Sequence, residues 1–275
     1  MELWFTEKQT PQLGITCKVR NTLHRERSAF QDIAVLDTEQ FGRLLALDGI
    51  IQTSEADEFV YHEMIVHVAM CTHPSPRRVM VVGGGDGGTV REVLKHPWVE
   101  RVELVEIDER VVEVCRELLP GLSSSLNDPR VRVVIADGIR YMKEAGGEFD
   151  VVIVDSTDPI GPAVGLFSPE FYASVYHRLS PEGIMVAQTE SPFFNRDLIR
   201  EVFSAVRGIF PLARLYLASI PTYPSGLWSF TLGSKAFDPL EVNPERSAAL
   251  STRYYSPEVH RAAFALPGFV RELLE

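Results

Sequence analysis

The chain has 275 residues, 45% hydrophobic and 24% charged, which excludes a disordered or fibrous protein and suits one large domain or a medium domain with a small appendage. Twenty-seven Lys and Arg against 38 Asp and Glu leave a net charge of −11, which argues against nucleic acid or an anionic membrane as the main partner. No run nears the roughly 18 apolar residues of a membrane helix, the first ten residues lack the basic-then-apolar order of a signal peptide, and Cys17, Cys71 and Cys115 are too few and too far apart for a disulfide framework or a Cys-based zinc site, so a cytoplasmic globular protein is expected.

Residues 1 to about 55 read as β. Ile15–Leu23 and Phe30–Leu36 alternate apolar and polar residues, with the polar stretch His24–Arg27 between them. Arg43–Leu47 and Ile50–Thr53 flank Asp48-Gly49, a pair that tolerates positive φ and so predicts a tight hairpin. From Glu55 the period changes: Phe59, His62, Ile65, Val66 and Ala69 recur at three and four, which predicts an amphipathic helix ended by Pro74 and Pro76. Five short β-branched runs follow, at Val79–Val82, Val102–Val105, Val131–Ile135, Val151–Val154 and Ile184–Ala187. Helices are expected between and after them at Thr89–Lys95, Glu109–Leu118, Ile139–Glu144, Pro169–Leu179 and Arg196–Gly208. Near-continuous apolar strands alternating with helices imply an α/β fold, a parallel sheet covered on both faces. Arg214–Ile220 and Trp228–Leu232 read as a final strand pair, and Pro257–Glu275 as one or two short helices.

Each parallel strand ends in residues able to carry chemistry. Gly83-Gly84-Gly85-Asp86-Gly87-Gly88 stands between a strand and a helix, where glycines let a ligand approach the backbone and the helix N-terminus carries partial positive charge. It is not a Walker loop, for the Lys-Ser/Thr pair is missing. Glu106 ends the second strand, 23 positions after Gly83, where a carboxylate commonly accepts from ribose hydroxyls. Asp108 reads as a helix cap. Asp137-Gly138 could receive an adenine amino group or simply cap a helix. Asp155-Ser156-Thr157-Asp158 ends the fourth strand and leads into Pro159-Ile160-Gly161-Pro162, with Ala163–Ser168 a candidate lid. Gln188-Thr189-Glu190 ends the fifth strand, and Tyr223 stands between Pro221 and Pro224.

Asp86, Glu106, Asp137, Asp155, Asp158 and Glu190 would thus crowd one rim. Clustered carboxylates raise one another's pKa unless a cation sits among them. A divalent metal bound by carboxylates stays open, but no His or Cys spacing matches a common metal motif, His62 and His67 included. An organic polyamine or sulfonium fits better, because apolar and aromatic neighbours separate several of these acids.

Together, the glycine-rich loop, Glu106-Ile107-Asp108, the stretch from Asp155 to Pro162, and Ile220-Pro221-Thr222-Tyr223-Pro224-Ser225-Gly226 resemble the spermidine synthase family, over a span from Trp4 to about Ser234. That family transfers an aminopropyl group from decarboxylated S-adenosylmethionine to putrescine. The resemblance implies a small N-terminal antiparallel β domain (residues 1–55) on a Rossmann-like methyltransferase fold (residues 56–275). It also implies a homodimer or homotetramer, no permanently bound cofactor and no metal. By position it makes Asp155 the proton acceptor, Glu106 the ribose-binding acid, Asp137 and Gly138 the adenine site, and Pro162 a backbone contact to adenine. Gln31 resembles a residue near the ribose and aminopropyl end, and Asp86 the carboxylate that holds an amine. Tyr61, His62, Asp158, Gln188 and Tyr223 resemble the diamine channel, with His62 standing where some members carry Gln.

A protonated amine has no lone pair, so such a reaction needs a base near the electrophilic carbon, and a carboxylate can serve only if burial and like charges raise its pKa or the site lowers that of the amine. The competing readings are an aminopropyltransferase acting on agmatine, cadaverine or spermidine, a methyltransferase using intact S-adenosylmethionine, and a non-catalytic polyamine-binding protein. The acid inside the glycine loop and the Asp155/Asp158 pair speak against the methyltransferase, and the presence of Asp155 against the non-catalytic binder.

Overall fold

The computed structural model describes residues 2–144, 146–242, 246 and 249–275. Five strands pair antiparallel in chain order: β1 (Leu3–Lys8), β2 (Gly14–Arg27), β3 (Asp32–Thr38), β4 (Gly42–Leu47) and β5 (Ile50–Ser54). The β4–β5 turn is the expected hairpin, with positive φ at Asp48 (49°) and Gly49 (82°). Two features differ from expectation. Strand β2 runs unbroken through His24–Arg27, because β1 covers only Gly14–Val19 and the rest of β2 is an edge paired to β3 alone, where charged side chains reach water. Strand β1 itself has no counterpart among the expected strands: its one fully buried side chain is Glu7, so no apolar alternation announces it.

The second sheet has seven strands in the order β11-β12-β10-β9-β6-β7-β8. Strands β6 (Arg78–Gly83), β7 (Arg101–Glu106), β8 (Val131–Ile135), β9 (Phe149–Asp155) and β10 (Leu179–Gln188) are parallel. Strand β12 (Leu227–Ser234) runs antiparallel to both β10 and β11 (Leu212–Ser219). Successive side chains of a strand point to opposite faces, and each face here has its own core. Val79, Val81 and Ile153 pack with helix α1 (Glu58–Thr72) and α2 (Gly88–Val93). Met80, Val82 and Val154 pack with α5 (Gly138–Glu144), α6 (Pro169–Arg178) and α7 (Arg196–Ile209). The α/β class and the mostly parallel sheet with a small antiparallel sheet before it are as expected. Helix α3 (Glu109–Leu118) and the short α4 (Pro120–Ser123) follow β7, and α3 packs against β3 and β4, joining the two sheets through Ile33, Val35, Leu45, Val111 and Cys115.

Helix α1 is not amphipathic in its surroundings. It is buried nearly all round, because the C-terminal segment lies over the face that the sequence pattern left polar. Glu63 on that face accepts three backbone N–H groups, from Arg253, Tyr254 and Tyr255. His67 bonds Glu92 and His96, at 3.0 Å each. These polar side chains are tolerable in the interior because each is hydrogen-bonded. Two short helices, Pro257–Ala263 and Gly268–Arg271, complete the tail. Among the described residues no helix is long and apolar enough to cross a membrane.

Candidate active site

The chain leaves β6 to build β7 and β8 on one side, then returns to build β9 and β10 on the other. The order therefore reverses at β6, and a crevice opens beyond the carboxyl ends of β6 and β9, the usual ligand position in such sheets. Gly83 and Asp155 are register partners at that point. A cavity of about 220 Å³ lies there, walled on its other side by the N-terminal sheet and α1.

The Asp155 carboxylate, at the end of β9, lines this cavity. Tyr61 Oη donates to Oδ1 at 2.6 Å and Thr89 Oγ1 donates to Oδ2 at 2.7 Å. Its place depends on Gly84: φ is +69° there, and a Cβ would lie 2.6 Å from Asp155 Oδ2. Burial raises the Asp155 pKa and Asp86 raises it further, against the opposing pull of His62, Tyr61 and Thr89. Asp86 projects into the cavity from the glycine loop, with Oδ1 accepting the Gly88 amide at 2.7 Å.

Towards one end of the cavity, Glu106 is buried and its Oε1 accepts the Asp108 amide at 2.9 Å. Burial lifts its carboxyl to about 7 despite that bond. Asp108 does cap α3, by accepting from the Arg110 amide, and its other oxygen accepts from Gln31 Nε2 at 3.0 Å and Ser28 Oγ at 2.6 Å. Gln31, on the segment before β3, is thereby held against the cavity. Asp137 and Gly138 line the same end. Both readings of Asp137 apply, for it lines the cavity and also accepts the Ile139 amide at the start of α5. Pro162 and Leu166 form the outer wall, within the 3-10 segment Gly161–Phe167. An anionic, hydroxyl-accepting end beside an apolar slot suits a nucleoside.

Past Tyr61 the cavity continues to Asp158 and Tyr223, and a smaller hollow of about 20 Å³ lies beyond, lined by Gln52, Gln188 and Trp228. Tyr223 Oη donates to the Gln52 carbonyl at 2.5 Å. Its loop is fixed by Asp57, whose Oδ2 accepts both the amide and hydroxyl of Thr222. Gln188 lies outside the main cavity and donates to the Ser156 carbonyl and to Glu190, at 3.2 Å each. Glu190 does not join the rim: it is buried behind it, with positive φ (70°), and burial and then Asp158 raise its carboxyl well above the usual range.

Four polar residues in or beside this site escape the sequence reading. Thr89 looked like part of an ordinary helix start, and Gln52 like an ordinary strand residue. Glu7 is buried on β1, accepts the Ile51 amide at 2.7 Å, and is lifted to about 7 by burial, with Asp158 adding to the lift. Glu58 pairs with His62 at 2.6 Å.

Similarity to characterised proteins agrees with this geometry. The model described as spermine/spermidine synthase domain matches residues 58–243, and that described as spermidine synthase tetramerisation domain matches residues 3–55. A polyamine aminopropyltransferase of Caldicellulosiruptor bescii is 58% identical over 275 residues, covering 100% of this chain and 99% of the relative. That of Desulforudis audaxviator is 60% identical over 272 residues, covering 99% of each. The spermidine synthase of Thermotoga maritima superposes with a TM-score of 0.94 at 41% identity, over 99% of this chain and 94% of the other. A spermidine synthase solved with the transition-state analogue AdoDATO gives a TM-score of 0.97 at 42% identity, over the same shares. Matched along nearly its whole length, this chain belongs to the spermine/spermidine synthase family of polyamine aminopropyltransferases.

Proposed function

We propose that the protein is a spermidine synthase, moving the aminopropyl group of decarboxylated S-adenosylmethionine to putrescine and leaving 5′-methylthioadenosine. The observation that carries this reading is the Asp155 carboxylate, held by Tyr61 and Thr89 in a cavity with a nucleoside-shaped end that leads, past Asp158, to a narrow hollow. Glu106 takes the ribose hydroxyls, Asp137 and Gly138 the adenine edge, Pro162 its outer face, and Gln31 the ribose near the sulfonium. Asp86 holds the ammonium of the aminopropyl arm. The diamine enters past Tyr61, His62 and Tyr223, with Asp158 and Gln188 along it, and Glu7 stands behind that end, bonded to the Ile51 amide.

Asp155 accepts one proton from the near ammonium. The freed nitrogen lone pair then attacks the methylene carbon next to sulfur, the C–S bond breaks, and its electrons return to sulfur as a neutral thioether. Burial and Asp86 raise the basicity of Asp155, which suits this task. Positioning of the two substrates along one cavity supplies much of the acceleration. The hollow of about 20 Å³ suits the end of a short diamine better than the extra arm of a triamine.

The N-terminal sheet, with Leu3, Trp4 and Leu13 exposed, is the surface for assembly into a homodimer or homotetramer. Three free, buried cysteines fit a cytoplasmic location. Incubation with the decarboxylated donor and a panel of putrescine, cadaverine, agmatine and spermidine, read by mass spectrometry, tests the assignment. Spermidine from putrescine is expected as the main product; preference for another amine would reassign the acceptor, and methyl transfer from intact S-adenosylmethionine would overturn the reading.

A further inference from the structure

One buried acid next to the site is not accounted for by the chemistry above. Glu58 and His62 stand four apart on α1, so they share a face. Glu58 does not line the cavity, yet its Oε2 meets His62 Nδ1 at 2.6 Å and Arg91, from α2, at 2.8 Å. The other ring nitrogen, Nε2, lies 3.5 Å from Asp86 Oδ1, the oxygen that also accepts the Gly88 amide. The ring is closed in from the side as well. A Cβ on Gly88 would come within 2.3 Å of His62 Cε1, so the last glycine of the loop leaves the space that the imidazole fills. With Oδ1 of Asp86 engaged twice, Oδ2 is the oxygen left for a cation in the cavity.

We propose that Glu58 is a positioning residue: braced by Arg91, it grips the His62 ring at Nδ1 so that Nε2–H is turned onto Asp86, and thereby fixes the Asp86 oxygen offered to the donor's ammonium. This rests on the aminopropyl-transfer reading of the site. Charged groups face the ring from four elements, Glu58 on its own helix, Asp86 from the loop, Arg91 from α2 and Asp155 from β9, and the Tyr61 ring stands edge-on beside it. Burial alone would strip the imidazolium of its proton; Asp86 and Glu58 outweigh burial and keep it. An imidazolium has two N–H donors and so can bridge two carboxylates, whereas a neutral ring has one.

Replacing Glu58 by Gln preserves shape but removes one of the two counter-charges, so His62 should lose its proton within the assay range. The measurement is kcat/KM for decarboxylated S-adenosylmethionine from about pH 6 to 8.5, as the ratio of Glu58→Gln to wild type. We expect a ratio near one at the acid end, falling about tenfold at the alkaline end, with the loss in KM rather than kcat. In a His62→Gln background the same substitution should change nothing with pH. Methylthioadenosine, which lacks the aminopropyl arm, should bind the variant within about twofold of wild type throughout. A ratio flat in pH, or an equal loss in methylthioadenosine affinity, overturns the proposal in favour of plain structural support. A second measurement needs no folded Glu58 variant. The ¹⁵N signals of His62 in the wild-type protein, assigned against His62→Gln, should read imidazolium at about pH 8, and a neutral ring there refutes the proposal. Wild-type protein that turns over no amine with this donor refutes the aminopropyl reading instead, while normal wild-type turnover with a flat ratio refutes only the role of Glu58.

Discussion

Nucleoside binding should report the protonation of Glu106. Burial holds this carboxyl at about 7 in the free protein, against the pull of the Asp108 amide. A ribose hydroxyl donates to a carboxylate, so the proton must leave before the ribose is held well. The lift from 4.5 to about 7 corresponds to roughly 3 kcal/mol of preference for the neutral form. At about pH 5.5 only roughly one molecule in thirty carries the carboxylate, whereas above about pH 8 nearly all do. The affinity for methylthioadenosine should therefore climb by about thirtyfold across that interval, with close to one proton released per ligand on the acid side. Calorimetric titration in paired buffers of different ionisation enthalpy counts that proton directly. Asp155 contributes to the lift and is itself raised, so the titration should be repeated with Asp155→Asn, where the slope should persist. Glu106→Gln should abolish the slope and weaken binding by roughly 10–100-fold. An affinity flat between these pH values, with no proton released, would refute the reasoning.

The remaining predictions concern the base, the donor, the loop and the free protein. Asp155→Asn should lower kcat by roughly 10²–10⁴-fold while leaving methylthioadenosine affinity near normal; retained turnover removes Asp155 from that role. Asp86→Asn should relax the discrimination against intact S-adenosylmethionine, whose tail carboxylate an anionic Asp86 repels, and competition kinetics with both donors would show an unchanged preference if this is wrong. Asp57→Ala strips Thr222 and Ser54 of their shared acceptor and should cost about 3 kcal/mol, roughly 6–12 °C in Tm, and raise the diamine KM through the Tyr223 loop. Glu7 and Glu106 both have raised pKa values in the fold, so at these two groups the folded state holds more protons than the unfolded one between about 4.5 and 7. The stability of the ligand-free protein relative to a Glu106→Gln variant should fall as pH rises through that window and level off above it, as chemical denaturation of both at several pH values would show; a difference that rises across the window contradicts the burial argument.

The parallel strands were legible because their signal is local. Val79–Val82 and Val151–Val154 are apolar runs between turn-forming residues, and such runs need cover on both faces wherever the chain carries them. The hairpin at Asp48-Gly49 was legible for a similar reason, since two adjacent residues alone supply the positive φ. Helix α1 was read correctly as a helix and wrongly as one-sided. Its own period cannot reveal that Arg253–Tyr255, nearly two hundred residues later, will bring three amides to Glu63. Likewise His24–Arg27 reads as a break until the length of β1 shows that this half of β2 is an edge.

The acids at the strand ends could be named from the chain because a parallel sheet sends every strand's carboxyl end to the same side. What each acid meets there could not. Tyr61 and Thr89 reach Asp155 from 94 and 66 positions away, and Glu190, alike in sequence position, turns behind the rim instead of joining it. Local pattern decides which residues can form a strand, a turn or a cap, since those depend on neighbours within a few positions. Partnership, burial and proton affinity arise only when β9 is laid beside β6 and the N-terminal sheet closes over them, because they depend on distances through space that no spacing along the chain encodes.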